Sequence, residues 1–248
     1  MQGVVPIEGG QQLHAVIFDL DGTLVDSLAD IAHNMNRALS ELGLPTHPEA
    51  AYRHFVGDGV RQLVERAAAG APEPVHGALL ARLAEIYTDC RWPRTRAYEG
   101  AAELLGRLRG AGLKLGVLSN KPHALCGPTL AACGLLEAVD AVQGVCEGLA
   151  RKPSSEGLLR VCSLLGVEAQ RCAMVGDSDV DMATGLAGGA LTVGACWGFR
   201  GADELGRSGA ALLAQSPEEV WSRLVAGGWV AEDGANGGER VNEGRQEP

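Results

Sequence analysis

The stretch Ala15-Val16-Ile17-Phe18-Asp19-Leu20-Asp21-Gly22-Thr23 joins an apolar run to two acids and a glycine. An uninterrupted short apolar run is typical of a strand buried on both faces. The two aspartates are two positions apart, so an extended backbone would point both side chains to one side. Gly22 permits a tight turn and a close backbone approach to a ligand. Taken alone, however, an Asp-Gly pair after a strand is also typical of an ordinary turn.

Similar apolar runs follow along the chain, and they alternate with helical patterns. The runs are Leu113–Leu118, Val139–Val142, Cys172–Val175 and Ala190–Val193. The helical patterns are Ala101–Arg109, Ala124–Cys133, Ser155–Leu165 and Met182–Ala187. Alternation of strand and helix predicts an α/β fold, with a Rossmann-like parallel sheet as the core and helices on both faces.

A helical segment interrupts this alternation between residues 27 and 95. The candidate helices are Ser27–Leu42, Pro48–Ala69 with a break at Gly57-Asp58-Gly59, and Pro74–Cys90. An insertion directly after the first strand predicts an α-helical cap domain over the carboxyl end of that strand, where open α/β sheets bind ligands. We therefore expect a core formed by residues 13–26 and 96–226, a cap at 27–95, an N-terminal extension at 1–12 and a disordered tail at 227–248.

Composition restricts the class of protein. Hydrophobic residues make up 46% of the 248 positions, which is enough for a substantial core. The net charge is −10 and only Lys114, Lys121 and Lys152 are lysines, so a nucleic-acid partner is not expected. No apolar run is long enough for a membrane span, and the N-terminus lacks a signal-peptide pattern. The 7 cysteines contain no C-x-x-C spacing, which favours reduced thiols and a cytoplasmic location.

A second acidic stretch strengthens the functional interpretation of the first. Gly176-Asp177-Ser178-Asp179-Val180-Asp181 again follows an apolar strand. Carboxyl ends of parallel strands lie at one edge of a sheet, so Asp19, Asp21 and Asp177 could converge there. Carboxylate oxygens are the ligands that Mg²⁺ prefers. The two stretches together predict a magnesium site.

Phosphate-binding groups are expected at the same edge. The run Leu113–Leu118 is followed by Ser119-Asn120-Lys121. Lys152 follows the next run, Val139–Val142, after a short loop. A hydroxyl, an amide and an ammonium group are suited to bind a phosphate dianion. These residues therefore predict a binding site for a phosphate group at this edge.

The motifs taken together resemble those of the haloacid dehalogenase superfamily, in the branch with a helical C1-type cap. The resemblance covers roughly residues 14–225. It rests on Asp19-Leu20-Asp21-Gly22-Thr23, Ser119-Asn120, Lys152 and Gly176-Asp177 through Asp181, in that order.

This resemblance implies a mechanism. Asp19 would attack phosphorus to form an aspartyl-phosphate, and Asp21 would act as general acid and then general base. It also implies Mg²⁺ between the Asp19 carboxylate, the Asp21 backbone carbonyl and the Asp177 carboxylate.

The other site residues receive roles from the same resemblance. Ser119, Asn120 and Lys152 would hold the phosphoryl oxygens, and Asp181 would orient water bound to the metal.

Stretches in the cap and shortly after it narrow the choice of substrate. They are similar to the corresponding stretches of phosphoglycolate phosphatases and comprise Phe55-Val56-Gly57-Asp58-Gly59, the following Val60–Ala67, and Tyr98-Glu99-Gly100. The glycines would let the cap backbone approach a small substrate, although they could equally be a simple break between two helices. No lysine lies in residues 27–95, which excludes the Schiff-base chemistry of phosphonoacetaldehyde hydrolases.

Several alternatives stay open at this point. The resemblance favours a Mg²⁺-dependent phosphatase that hydrolyses a small-molecule phosphomonoester, 2-phosphoglycolate, but another small phosphate compound (a sugar phosphate, a nucleotide or pyrophosphate) could be the substrate. A β-phosphoglucomutase-like isomerase and a non-enzymatic scaffold are further possibilities, and the chain could be a monomer or a homodimer. Finally, Trp197-Gly198-Phe199-Arg200 follows the last apolar run, and we expect its aromatic rings to pack and Arg200 to lie near the pocket rim.

Overall fold

The structure is a computed structural model that describes residues 12–89 and 93–231. The predicted N-terminal extension lies outside the described residues except for Gln12. The predicted tail lies outside them from residue 232 onward, as does Cys90 at the end of the third predicted cap helix.

Eight strands and ten α-helices occur in the described residues. The strands are β1 (Ala15–Phe18), β2 (Val25–Asp26), β3 (Arg96–Ala97), β4 (Lys114–Pro122), β5 (Ala141–Val145), β6 (Cys172–Gly176), β7 (Leu191–Ala195) and β8 (Leu212–Ala214). The helices are α1 (Leu28–Glu41), α2 (Tyr52–Phe55), α3 (Val60–Ala67), α4 (Glu73–Asp89), α5 (Ala101–Gly110), α6 (His123–Ala132), α7 (Glu156–Leu165), α8 (Asp179–Gly188), α9 (Ala202–Arg207) and α10 (Pro217–Ala226).

The main sheet is parallel and has the order β5-β4-β1-β6-β7-β8 within the described residues. Strand β1 lies near the middle, with Phe18 aligned to Val117 of β4 on one side and to Val175 of β6 on the other. All four residues of β1 are fully buried, as expected for a strand that is covered on both faces. The predicted α/β fold with a Rossmann-like sheet is confirmed.

Two hydrophobic clusters cover the two faces of the sheet. On one face, Val16 and Phe18 pack with Leu104, Leu105 and Leu108 of α5. On the other face, Ala15 and Ile17 pack with Leu158 and Val161 of α7. Alternate residues of β1 therefore serve opposite layers, because successive strand side chains point to opposite faces.

Helices α1 to α4 form a separate hydrophobic cluster that follows β1 in sequence. Residues Ile31, Met35, Ala38 and Leu39 of α1 form its apolar stripe at helical spacing. Phe199, which comes from the far end of the chain, also packs in this cluster. The helices lie where the sequence predicts a cap. The predicted second helix is divided at residues 57–59 into two short helices, α2 and α3.

A small two-stranded ribbon, β2 paired antiparallel with β3, lies where the chain leaves and re-enters the core. Nearby, Asp30 Oδ2 accepts hydrogen bonds from Arg94 N (3.0 Å), Thr95 N (2.7 Å) and Thr95 Oγ1 (2.7 Å). This buried carboxylate fastens the start of α1 to the returning chain.

The last part of the core was not predicted in detail. Strand β8 has only three residues at the sheet edge and is partly exposed, so its apolar pattern is short. Helix α10 begins after Ser216, whose side chain accepts from Glu219 N, and Pro217 stands in its first turn. This is a standard start signal, and the sequence interpretation did not use it.

In the part of the chain that the structure describes, no helix has the length and apolar character needed to cross a membrane.

Candidate active site

The carboxyl ends of β1, β4 and β6 bring the predicted site residues to one edge of the sheet. Asp19 directly follows β1, and Asp177 directly follows β6. Ser119 and Asn120 lie in the last part of β4, next to Lys121. Neighbouring parallel strands place these positions side by side, which is why residues far apart in sequence meet.

Two glycines make the close packing at this edge possible. Gly22 has φ +92°, and a Cβ on it would lie 2.4 Å from Asp177 Oδ2. A Cβ on Gly176 would lie 2.3 Å from the Cβ of Asp181. Any side chain at either position would collide with an acid of the site, so both motif glycines are required by geometry.

Three buried carboxylates form the centre of the site. Oxygens of Asp19, Asp177 and Asp181 all lie within 4.8 Å of one another. The side chain of Asp21 is not part of this group. For Asp21, the predicted metal ligand is the backbone carbonyl.

Lys152 is the cation of this acidic cluster. Its Nζ donates to Asp181 Oδ1 at 2.6 Å and contacts Asp19 Oδ1 at 2.9 Å. Burial opposes the charge on Lys152, but the charges of Asp181 and Asp19 and the hydrogen bonds they accept outweigh it and raise its pKa. For Asp19, burial instead raises the pKa of the carboxyl group to about 6, and the charge of Lys152 opposes the rise. Lys152 is therefore in direct contact with the predicted nucleophile, Asp19.

Asp177 has no cationic partner in the described residues. Its Oδ2 accepts from Phe199 N at 2.7 Å, and its Oδ1 accepts from Thr23 Oγ1 at 3.1 Å. Burial, together with the charges of Asp181 and Asp19, raises the pKa of Asp177 to about 8. An ionised cluster therefore needs additional positive charge, and its hard oxygen donors fit a divalent cation of the Mg²⁺ type.

Asp181 is held by the first turn of α8. Its Oδ2 accepts from both Ser178 N (3.1 Å) and Ser178 Oγ (2.6 Å), which completes a capping box. Its Oδ1 remains for Lys152. Asp181 thus orients the lysine, while its predicted role toward metal-bound water stays a prediction.

Asp21 lines the pocket beside the acidic cluster. Lys121 Nζ contacts its Oδ1 and Oδ2 at 3.0 and 3.2 Å, and Ser27 Oγ donates to its Oδ1 at 2.6 Å. The predicted general acid is therefore positioned by one ammonium and one hydroxyl group. The Ser27 contact had no signal in the sequence beyond its position one residue before α1.

The predicted phosphate-binding residues have two different environments. Ser119 lines the pocket, and its Oγ accepts from Lys121 N at 3.3 Å, which leaves its hydroxyl hydrogen available. The Asn120 amide instead bonds to backbone groups: Nδ2 donates to Gly57 O and Lys152 O, both at 3.1 Å, and Oδ1 accepts from Lys152 N at 2.9 Å. Asn120 thereby fixes the Lys152 loop and links it to the cap.

The pocket lies between the sheet edge and the cap helices. Its polar side is formed by Asp19, Asp21, Ser119 and Lys121. The cap side is apolar and comprises Ile31, Val56, Val60 and Leu63, together with the backbone at Gly57 and Gly59. A Cβ on Gly59 would lie 3.3 Å from Asn120 O, so the cap backbone does approach the core closely at this turn.

Some residues of the site were missed by the sequence interpretation. Thr23 bonds to Asp177, and its place in the first motif was the available signal. The Phe199 backbone amide also bonds to Asp177, but a backbone group leaves no trace in a side-chain pattern.

Curated relatives of known description match most of the chain. The phosphoglycolate phosphatase of Chromobacterium violaceum is 34% identical over 222 residues, which cover 88% of this chain and 99% of that protein. The phosphoglycolate phosphatase of Rhodospirillum rubrum is 38% identical over 193 residues, covering 75% and 80% of the two chains.

Solved structures share the fold. The crystal structure of a "predicted phosphoglycolate phosphatase" from Haemophilus somnus superposes with a TM-score of 0.79 at 26% identity, covering 86% of this chain and 98% of that one.

The sequence model of the haloacid dehalogenase-like hydrolases matches residues 13–189. The order of motifs, the sheet edge at which they meet and these matches agree, and the chain belongs to the haloacid dehalogenase-like hydrolase family.

Proposed function

We propose that this hydrolase is a Mg²⁺-dependent phosphoglycolate phosphatase, which converts 2-phosphoglycolate to glycolate and phosphate through an aspartyl-phosphate on Asp19. The observation that carries the chemistry is the buried cluster of Asp19, Asp177 and Asp181 around Lys152. The substrate assignment rests on the relatives described above. The free thiols of the described cysteines agree with a cytoplasmic location.

Asp19 is the nucleophile of this proposal. Lys152 Nζ and Leu20 N (2.7 Å) both contact its Oδ1. No hydrogen-bond donor in the described residues contacts Oδ2, which leaves this oxygen available to attack phosphorus. As the new bond forms, the bond from phosphorus to the glycolate oxygen breaks, and the phosphoryl group is carried on Asp19.

Asp21 moves the protons. It gives a proton to the departing glycolate oxygen in the first half-reaction. In the second, it takes a proton from the water that attacks phosphorus and breaks the bond to Asp19. This role is supported by the position of Asp21 in the pocket lining, where Lys121 Nζ and Ser27 Oγ contact its carboxylate.

The remaining residues bind charge. Ser119 donates its hydroxyl to a phosphoryl oxygen, and Lys152 balances Asp19 while the negative charge moves onto phosphorus. Asn120 acts through its bonds to the backbone of Lys152. The carboxylates of Asp19 and Asp177 and the backbone carbonyl of Asp21 would hold Mg²⁺. When bound, the ion supplies positive charge between the anionic nucleophile and the anionic phosphate.

The test is phosphate release from a panel that contains 2-phosphoglycolate, hexose phosphates, nucleoside monophosphates and pyrophosphate, with Mg²⁺ present. Asp19→Asn serves as the blank, and we expect it to lower turnover by about 10³-fold or more because the nucleophile is lost. A kcat/KM for 2-phosphoglycolate at least about tenfold above every other compound, or about 1.4 kcal/mol, supports the substrate assignment.

Other outcomes separate the parts of the proposal. A different leading compound would overturn the substrate and leave the chemistry intact. Release that requires a bisphosphate activator would indicate an isomerase. Substantial activity in Asp19→Asn would exclude the aspartyl-phosphate.

A further inference from the structure

The loop formed by residues 197–200, between β7 and α9, contacts both the acidic cluster and the cap. It follows the last motif by more than fifteen positions and belongs to none of the four motifs. The loop therefore connects the acidic cluster to the hydrophobic cluster of the cap.

Toward the acidic cluster, the loop contacts one carboxylate oxygen of Asp177 directly and the other indirectly, through Thr23. Phe199 N donates to Asp177 Oδ2 at 2.7 Å. Trp197 Nε1 donates to Thr23 O at 3.0 Å, and Thr23 Oγ1 donates to Asp177 Oδ1 at 3.1 Å. The orientation of this unneutralised carboxylate therefore depends on where the loop lies.

Toward the cap, the same loop is anchored by one ring and by reciprocal arginine contacts. The Phe199 side chain is buried in the hydrophobic cluster of the cap. The Arg200 guanidinium donates to the carbonyl oxygens of Arg53 and Val56, the latter at 3.2 Å. Arg53 Nη1 in turn donates to Gly198 O at 3.3 Å.

These contacts lie on the part of the cap that reaches the pocket. Arg53 belongs to α2, and Val56 begins the turn that lines the pocket with Gly57 and Gly59. Asn120 holds the opposite side of this turn through Gly57 O. The loop and Asn120 thus both bond to the backbone at this pocket-lining turn.

We propose that Phe199 and Arg200 are positioning residues that couple the seating of the cap to Asp177. The seated cap holds the Phe199 amide against Asp177 and so favours the carboxylate orientation that binds the cation. The inference rests on the metal site of the proposed function. Coupling of two binding events is reciprocal, so a bound cation must also stabilise the seated cap.

The first experiment measures Mg²⁺ binding to the full-length protein by isothermal titration calorimetry, without substrate. We expect Phe199→Ala to weaken Mg²⁺ binding about tenfold, since partners that orient a metal ligand commonly contribute this much. Phe199→Leu, which keeps a large apolar group in the cap, should recover most of the affinity. Leu79→Ala is the matched control, because Leu79 is fully buried in the same cluster but belongs to α4 and not to the loop.

The second experiment leaves the apolar side chains of the cap cluster unchanged. Hydrogen exchange of residues 52–63 is followed by mass spectrometry with and without Mg²⁺. In the parent protein Mg²⁺ should slow exchange severalfold, and Arg200→Gln should lose most of this effect. Arg109→Gln is the control, since Arg109 also bonds a carbonyl (Glu137 O, 2.9 Å) and a carboxylate (Asp140, 3.2 Å), away from the loop.

The outcomes separate the coupling from the metal site. Equal Mg²⁺ affinity in Phe199→Ala and Leu79→Ala would overturn the coupling, as would equal protection by Mg²⁺ in Arg200→Gln and Arg109→Gln. Mg²⁺ binding without any effect on exchange in the parent protein would overturn the coupling alone. No Mg²⁺ binding to the parent protein would overturn the metal site and the coupling together.

Discussion

At the scale of single residues, the site is defined by an imbalance of charge. Lys152 serves two buried carboxylates, Asp19 and Asp181, while Asp177 has only neutral donors. A buried charge is tolerated when it is paired and hydrogen-bonded. Lys152 is therefore expected to stabilise the fold in addition to the role proposed for it in the reaction, and Asp177 is the carboxylate that we propose holds a cation.

Lys152→Met should consequently lower both stability and activity. It leaves Asp19 and Asp181 buried without their cation, and breaking such a pair typically costs about 3–5 kcal/mol in the free energy of unfolding. Denaturant unfolding and kcat/KM measure the two effects.

The control is Lys114→Met, which changes an exposed lysine at the start of β4, the end of the strand away from the site. Equal unfolding free energies for the two variants would show that the buried ion pairs do not form in solution.

At the scale of elements, glycines decide how closely the loops after β1, β6 and β7 approach each other. A Cβ on Gly198 would lie 2.3 Å from the Cβ of Asp177 and 2.4 Å from Gly22 O. The loop after β7 can therefore reach Asp177 only if position 198 lacks a side chain. The segments that follow these three strands therefore pack so closely that no side chain fits between them at position 198.

Gly198→Ala should force this loop away from Asp177. We expect a loss of about 1–3 kcal/mol in the free energy of unfolding, as for other overpacked sites, and weaker Mg²⁺ activation. Thermal unfolding and the Mg²⁺ dependence of turnover provide the measurement.

Gly201→Ala is the matched control, since nothing lies within 4 Å of a Cβ there. If the two alanine variants behaved alike, the close approach at Gly198 would be refuted.

At the scale of the whole molecule, stability is linked to the charge state of the site. The pKa values of Asp19 and Asp177 are raised from 3.8 to about 6 and about 8 by burial. Between the ordinary and the raised values, the folded protein retains protons that the unfolded chain has released. The free energy of unfolding of the metal-free protein must therefore decrease as the pH rises through this interval.

In a chelating buffer, the melting temperature should accordingly fall as the pH is raised from about 5 to about 8. Added Mg²⁺ should restore it most strongly at the alkaline end, where the carboxylates are ionised. Asp177→Asn should flatten the pH dependence, because its larger shift is removed. A melting temperature of the metal-free protein that rises over this interval would contradict the charge analysis.

Much of the fold could be predicted because its signals are local. The apolar run of β1, the acids that follow it and the alternation of strand and helix are all contained in short segments. The parallel sheet then brings Asp19, Ser119 and Asp177 together without further information. Strand β8 was missed because three partly exposed residues at an edge carry too little apolar pattern.

The partners within the site could not be predicted in the same way. Asn120 was expected to bind phosphate, which stays a prediction, and its amide bonds to the backbone of Lys152 and Gly57 depend on where two loops meet. Asp181 was expected near water on the metal, and it also anchors Lys152. The side-chain type limits what a residue can bond, but its neighbours decide which bond forms.

The sequence by itself therefore determined the α/β class, the helical insertion and the set of acids and cations at the sheet edge, because these depend on short-range pattern and strand direction. Only the tertiary structure decided that Phe199 and Arg200 join the cap to Asp177 and that Lys152 is shared by Asp19 and Asp181. Those contacts span separations of about 20 to 150 residues. Their geometry is fixed by how the layers pack, which no local pattern encodes.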